Sequence, residues 1–108
     1  MAFAKSFALN SGAAGDYIRL VTFRWDRSTR EAVALFALYV NAAAAQSGKE
    51  PLSPFVAKLR LTGDKFDGYL GNPALAQADV VAQLYIAAKV EPLACDFGAD
   101  AFANAADV

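Results

Sequence analysis

Residues 17–40 read YIRLVTFRWDRSTREAVALFALYV, and the fold turns on how this stretch is read. In its first arm Tyr17, Arg19, Val21, Phe23 and Trp25 alternate with Ile18, Leu20, Thr22 and Arg24. Period-two placement of β-branched and aromatic residues predicts a strand, with those two sets on opposite faces. Asp26-Arg27-Ser28-Thr29-Arg30 breaks the apolar run, and Asp and Ser, which hydrogen-bond their own backbone, favour a turn. The second arm, from about Glu31 to Val40, admits two readings. Ala is a poor strand former, and Glu31, Leu35 and Leu38 fit helical spacing over 31–45. Val33, Phe36, Tyr39 and Val40 are strand-type residues and decide for a strand. Val33, Leu35, Ala37 and Tyr39 then share one face, and Ala32, Ala34, Phe36, Leu38 and Val40 the other.

Both faces of this long β-hairpin carry large apolar groups, whereas a sheet with one wet face should alternate cleanly. Either other elements of the chain cover both faces, or one face is buried against another chain.

The remaining segments are arranged around the hairpin. Residues 1–16 form an N-terminal arm in which Phe3, Phe7 and Leu9 fit a short edge strand, followed by a flexible Gly12-Ala13-Ala14-Gly15 joint. The arm's apolar groups need burial, on the home domain by preference or else in another subunit. Asn41 suits an N-cap and Gly48 the C′ position of one or two helical turns. Pro51 and Pro54 extend the following loop. In residues 55–62 Phe55, Ala57, Leu59 and Leu61 alternate with Val56, Lys58, Arg60 and Thr62, predicting a strand with the first set inward. Gly63-Asp64 and Asp67-Gly68 read as turns around Lys65-Phe66.

Asn72 as N-cap and Pro73 at N1 open a helix over about 73–89. Leu75, Ala78, Ala82, Tyr85 and Ile86 line its inner face, widened by Val81, Leu84 and Ala88. Gln77, Asp79, Gln83 and Lys89 are left for solvent. Pro92 stops it, and residues 91–108 read as an irregular C-terminal arm anchored by Leu93, Phe97 and Phe102. The expected architecture is α+β: an antiparallel sheet built on the hairpin and strand 55–62, one packed helix, two irregular arms, and a single domain over 1–108 with its core in 17–90.

Composition narrows the function classes. The chain has 108 residues, is 56% hydrophobic and carries a net charge of −1. That charge speaks against general nucleic-acid binding, which calls for a basic excess. The charge is uneven: Arg19, Arg24, Arg27 and Arg30 sit in the hairpin, while Glu91, Asp96, Asp100 and Asp107 follow Lys89 with no further base. An acidic tail could therefore lie on a basic hairpin, its own or a neighbour's. The one cysteine, Cys95, allows no internal disulfide and suits a reducing compartment. It reads as a small hydrophobe, since the chain has no histidine to activate it. No apolar run reaches the ~18 residues of a membrane span, and the N-terminal apolar stretch is too short for a signal peptide.

No catalytic site is expected. The absence of histidine removes the commonest general base and metal ligand. No phosphate-cradling glycine loop appears. Asp64 with Asp67, and Asp96 with Asp100, read as turn-forming acids. Ser28 and Ser53 have no partner base. No cofactor, metal or small-molecule substrate is expected. Trp25, flanked by Arg24 and Arg27, either closes the end of the core or anchors an interface, because Trp and Arg are enriched in binding hot spots. Tyr17 and Phe23 would extend that patch. With the apolar groups of the second arm and the tail added, the candidate interface residues are Tyr17, Phe23, Trp25, Arg27, Phe36 and Phe102.

The run YIRLVTFRWDRSTREAVALFALYVNAAAAQSGKEPL (17–52) resembles a pattern in small proteins of tailed-phage structural gene clusters: a Tyr-led aliphatic strand, a polar turn, a second strand, and a segment ending in Gly-Lys/Gln-x-Pro-Leu. AQADVVAQLYIAAKVEPL (76–93) and the closing FANAADV (102–108) resemble their helix and short tail, with PLACDFGADAF (92–102) departing from the pattern. The resemblance is structural and implies a non-enzymatic virion component, located in the virion and in the host cytoplasm during assembly. Its partners would be copies of itself and other virion proteins. The alternative expectation is a small phage-encoded regulator or inhibitor that binds a host protein.

Overall fold

A computed structural model describes residues 2–9, 12–71, 79–95 and 97–107, the side chain of Pro54 excepted. The hairpin forms as a pair of strands: β2 (Ala14–Asp26) and β3 (Glu31–Tyr39), joined through residues 27–30. Strand, not helix, is therefore the state of the second arm. In the turn Asp26 Oδ1 accepts from the Ser28 N–H at 2.8 Å. Arg30 takes a left-handed φ of 54°, uncommon for a non-glycine residue. Its carbonyl accepts from the Gly63 N–H at 3.2 Å, and its guanidinium pairs with Asp67 and, at 3.5 Å, with Asp64.

The N-terminal arm supplies β1 (Phe3–Ala8), antiparallel to β2. β4 (Ser53–Thr62) lies on the other side of β3, and the C-terminal arm adds β5 (Leu93–Cys95) and β6 (Ala106–Asp107). Among the described residues these make one six-stranded antiparallel sheet in the order β5-β4-β3-β2-β1-β6. Neither arm is as irregular as expected, because strand pairing satisfies backbone groups at both sheet edges.

Among the described residues three helices complete the α+β fold. α1 (Ala42–Gln46) is capped by Asn41, whose side chain accepts from the Ala44 N–H at 2.8 Å, and Gly48 follows it at φ 79°. α2 (Asp64–Leu70) stands where two turns were expected, and it buries Phe66 and Leu70 one turn apart. α3 (Val80–Val90) begins after Asp79, whose side chain accepts from the Ala82 N–H at 2.8 Å. Asp79 is thus a cap and not a residue of the helix body; Asn72 and Pro73 lie outside the described residues. The inner stripe of α3 is also rotated from the expected one. Gln83, Leu84, Tyr85, Ala87 and Ala88 are buried, while Ile86 is 49% exposed. The Tyr85 phenol, held by the backbone of β2, fixes this rotation.

One main core lies between the inner sheet face and the layer of α2, α3 and residues 97–105. Ala32, Ala34, Phe36 and Leu38 of β3 meet Ala57, Leu59 and Leu61 of β4 there. Both arms contribute: the Phe3, Phe36, Tyr85 and Phe102 rings form a cluster with centroids 5.2–6.2 Å apart. Such pairs add about 0.5–1.5 kcal/mol each beyond area burial. The apolar groups of the arms are therefore sheltered by the home chain and not by another subunit.

Two ladder irregularities shift the faces read from alternation. Leu20 pairs with Phe36 but Thr22 with Leu35, so Val21 is an extra residue on β2, a β-bulge. Beyond it the parity inverts: Phe23 and Trp25 pair with the buried Ala34 and Ala32, and so lie on the face of Ile18 and Leu20, opposite Tyr17 and Arg19. On β4 the ladder jumps from Phe36–Ala57 to Leu38–Ser53, skipping a stretch that includes Pro54, which has no N–H to give. There Phe55 turns out to 63% exposure and Val56 is buried, the reverse of the expected order.

Candidate interaction surface

The six candidate interface residues do not form one patch. Phe36 and Phe102 are fully buried, because the rings of Phe3 and Tyr85 close over them, so neither is an exposed anchor. Tyr17 lies on the outer sheet face, where it meets Tyr39 at 6.4 Å between centroids and packs with Ala37 and Ala45 under α1. Phe23 is exposed on the other face. Trp25 is half-buried, 6.1 Å from Phe66, and the Arg27 guanidinium lies 5.1 Å from its ring centroid. Trp25 thus closes the hairpin end of the core and exposes a cation–aromatic stack at the tip.

The outer sheet face is the surface that sequence reasoning only half saw. α1 covers its Tyr17–Tyr39 end. The other end carries the half-buried Val33 and Leu35 with Thr22, Arg24, Lys58 and Arg60 around them, because Leu35 pairs with Thr22 and Lys58, and Val33 with Arg24 and Arg60. Arg19, opposite Ala37, extends the basic rim. Two shallow hollows sharing Arg24 and Val33 mark this end, of about 420 and 270 Å³. Of its four cations only Arg60 has a carboxylate in reach among the described residues, Glu31 at 3.3 Å. The signal was present in Lys58 and Arg60; what joins them to Arg24 is the strand register.

Several other titratable groups pair with one another across elements of the fold. Asp64 and Asp67 both face Arg30, whose guanidinium is pushed up in pKa by its hydrogen bond to Asp67. Glu91 accepts from Lys65 Nζ at 2.7 Å and Tyr69 Oη at 3.1 Å. These partners, Lys65 foremost, hold its carboxyl below the usual glutamate range. Burial, and then Glu91, push the Tyr69 phenol up. Cys95 is half-buried opposite Ala57 in the β4–β5 pair. Asp96 lies outside the described residues. Among the described residues no three His, Cys, Asp or Glu side chains gather as a metal site, and no helix is long and apolar enough to cross a membrane. No family model matches the chain, and no curated protein or solved structure is significantly similar to it.

Proposed function

We propose that this protein is a non-enzymatic structural or assembly protein, a component of a tailed-phage virion at the tail, baseplate, head–tail connection or capsid surface. It acts through contacts with copies of itself and with other virion proteins. The observation that carries this reading is the end of the outer sheet face that α1 does not reach and no other described helix covers, where the half-buried Val33 and Leu35 sit within a rim of cations. An apolar sheet face is stable when another element covers it, and α1 reaches only one end. The resemblance of residues 17–52 to small tailed-phage proteins supplies the setting.

A second reading, a phage-encoded regulator or inhibitor of a host protein, draws on the hairpin tip. There the Arg27–Trp25 stack lies near exposed Phe23, the residue types of a compact binding hot spot.

Mass spectrometry of purified particles from the phage that encodes this chain tests the choice. The assembly reading expects the chain in the particle at a fixed stoichiometry. Its absence from particles, together with one-to-one binding of a host protein abolished by Trp25→Ala, would replace the first reading with the second.

A further inference from the structure

Resting on the assembly reading, we infer that two copies of this chain pair through the free edge of β2, strand against antiparallel strand about a two-fold axis at Phe23. β1 accompanies β2 only as far as Phe3–Ile18. Past that point, among the described residues, β2 has a strand on one side alone, that of β3. The Leu20 N–H points away from β3, to the Tyr85 phenol. Phe23 and Trp25 oppose Ala34 and Ala32, which share a face of β3 with Phe36, the residue opposite Leu20. Side-chain face and amide direction alternate together along a strand, so Phe23 and Trp25 also turn their N–H and C=O groups to the free edge. An extended backbone satisfies such a row of groups and a helix does not. The Val21 bulge and the Tyr85 phenol guard only the start of this edge. Residues 22–26 beyond them include the strand formers Thr22, Phe23 and Trp25, and none of the lysines or prolines that keep edges single.

A second copy is the strand that fits, because this edge is complementary to itself. With Val21 set aside as the bulge residue, a two-fold at Phe23 puts Thr22 opposite Arg24, Leu20 opposite Trp25 and Arg19 opposite Asp26 of the other copy. Each pair keeps to one face: Arg19, Thr22, Arg24 and Asp26 belong to the outer face, Leu20, Phe23 and Trp25 to the inner. No like charges stand directly opposite each other, and at both ends a carboxylate meets a guanidinium. Both groups are exposed, and neither belongs to an ion pair within the chain among the described residues. On the inner face the Trp25 indole of the other copy comes over a hollow of about 280 Å³ lined by Arg19, Leu20, Val21, Phe23, Val81 and Tyr85. Val21, Phe23 and Val81 are 38–41% exposed there, apolar surface that the added strand covers.

Such a contact uses the same surface on both copies and is complete at two. Sedimentation equilibrium of full-chain variants reads it. Asp26→Arg sets like charges opposite each other at both ends and should weaken the dimer by about tenfold. Adding Arg19→Asp to it reverses both partners and should return the affinity to near that of the unmodified chain. Phe23→Pro removes an N–H that β3 does not use, and should abolish the dimer, while Phe23→Ala, which keeps that N–H, should weaken it less. Arg19, Phe23 and Asp26 are all exposed, and circular dichroism with thermal unfolding checks that each variant folds. The charge exchange stands as a test even where the proline variant does not fold.

Association of Asp26→Arg and a folded Phe23→Pro as tight as that of the unmodified chain would overturn the inference and leave the assembly reading standing. Rescue of Asp26→Arg by Arg24→Asp in place of Arg19→Asp would overturn the pairing about Phe23 in favour of one about Trp25. An unmodified chain that never associates would overturn the inference and remove the assembly reading with it.

Discussion

The backbone N–H of Leu20 donates to the phenol oxygen of Tyr85 at 2.7 Å, joining β2 to α3 across 65 residues of sequence. β1 pairs with β2 as far as Phe3–Ile18, and the phenol serves the next outward amide. Tyr85→Phe keeps the ring and strands that amide, so it should cost about 1–3 kcal/mol in chemical denaturation at neutral pH. Burial pushes the Tyr85 phenol above its ordinary 10.0. A folded value above the unfolded one gives stability that is present below pH 10 and lost as pH rises through the folded value. The advantage of the unmodified chain over Tyr85→Phe should therefore shrink in strong alkali.

Glu91 gives the mirror-image case in acid. With Lys65 and Tyr69 holding its carboxyl below the ordinary 4.5, its contribution is full above that value and lost as pH falls through the depressed one. Glu91→Gln should be less stable than the unmodified chain at pH 7. The gap should close on acidification below the ordinary glutamate value, as followed by denaturant unfolding across pH. A gap that stays constant into strong acid would contradict the pairing.

The irregular β4 ladder makes a sharp contrast between neighbours in sequence. Leu59 is fully buried, and Leu59→Ala should cost about 2–5 kcal/mol. Phe55→Ala, at an exposed position, should change folding stability by no more than about 0.5 kcal/mol. Unbroken alternation would instead give Phe55 a core-sized loss.

Two glycines should respond in opposite directions. A Cβ at Gly15 would strike the carbonyl oxygen of Tyr39, so Gly15→Ala should destabilise by forcing β2 and β3 apart. A Cβ at Gly68, inside α2, meets nothing within 4 Å. Gly68→Ala should raise stability by about 0.5–1 kcal/mol through lower chain entropy and better helix propensity. Thermal unfolding of both variants checks the pair.

Much of this architecture was legible in the sequence. Alternation marked the hairpin and β4, and Asn41 and Gly48 bracketed α1. The faces were not fully legible, because alternation assumes an unbroken ladder. Val21 is an ordinary strand residue and nothing in its identity announces a bulge, yet it moves Phe23 and Trp25 to the inner face. α2 was hidden by Gly63 and Gly68, which read as turn punctuation, although Phe66, Tyr69 and Leu70 carry helical spacing. Both faces of β3 are apolar, and much of the cover comes from the two arms, whose packing on the home domain was the preferred expectation for β1 and whose Phe102 was expected only as an anchor of an irregular tail. What stays open is narrower than the sequence suggested, the cation-rimmed end of the outer sheet face.

Sedimentation velocity of the unmodified chain, over a concentration series at low and at raised salt, tests the assembly account most directly. The account predicts species heavier than the 11.4 kDa single chain that grow with concentration and recede as salt screens the cationic rim. A single species of one-chain mass at every concentration and salt would contradict it.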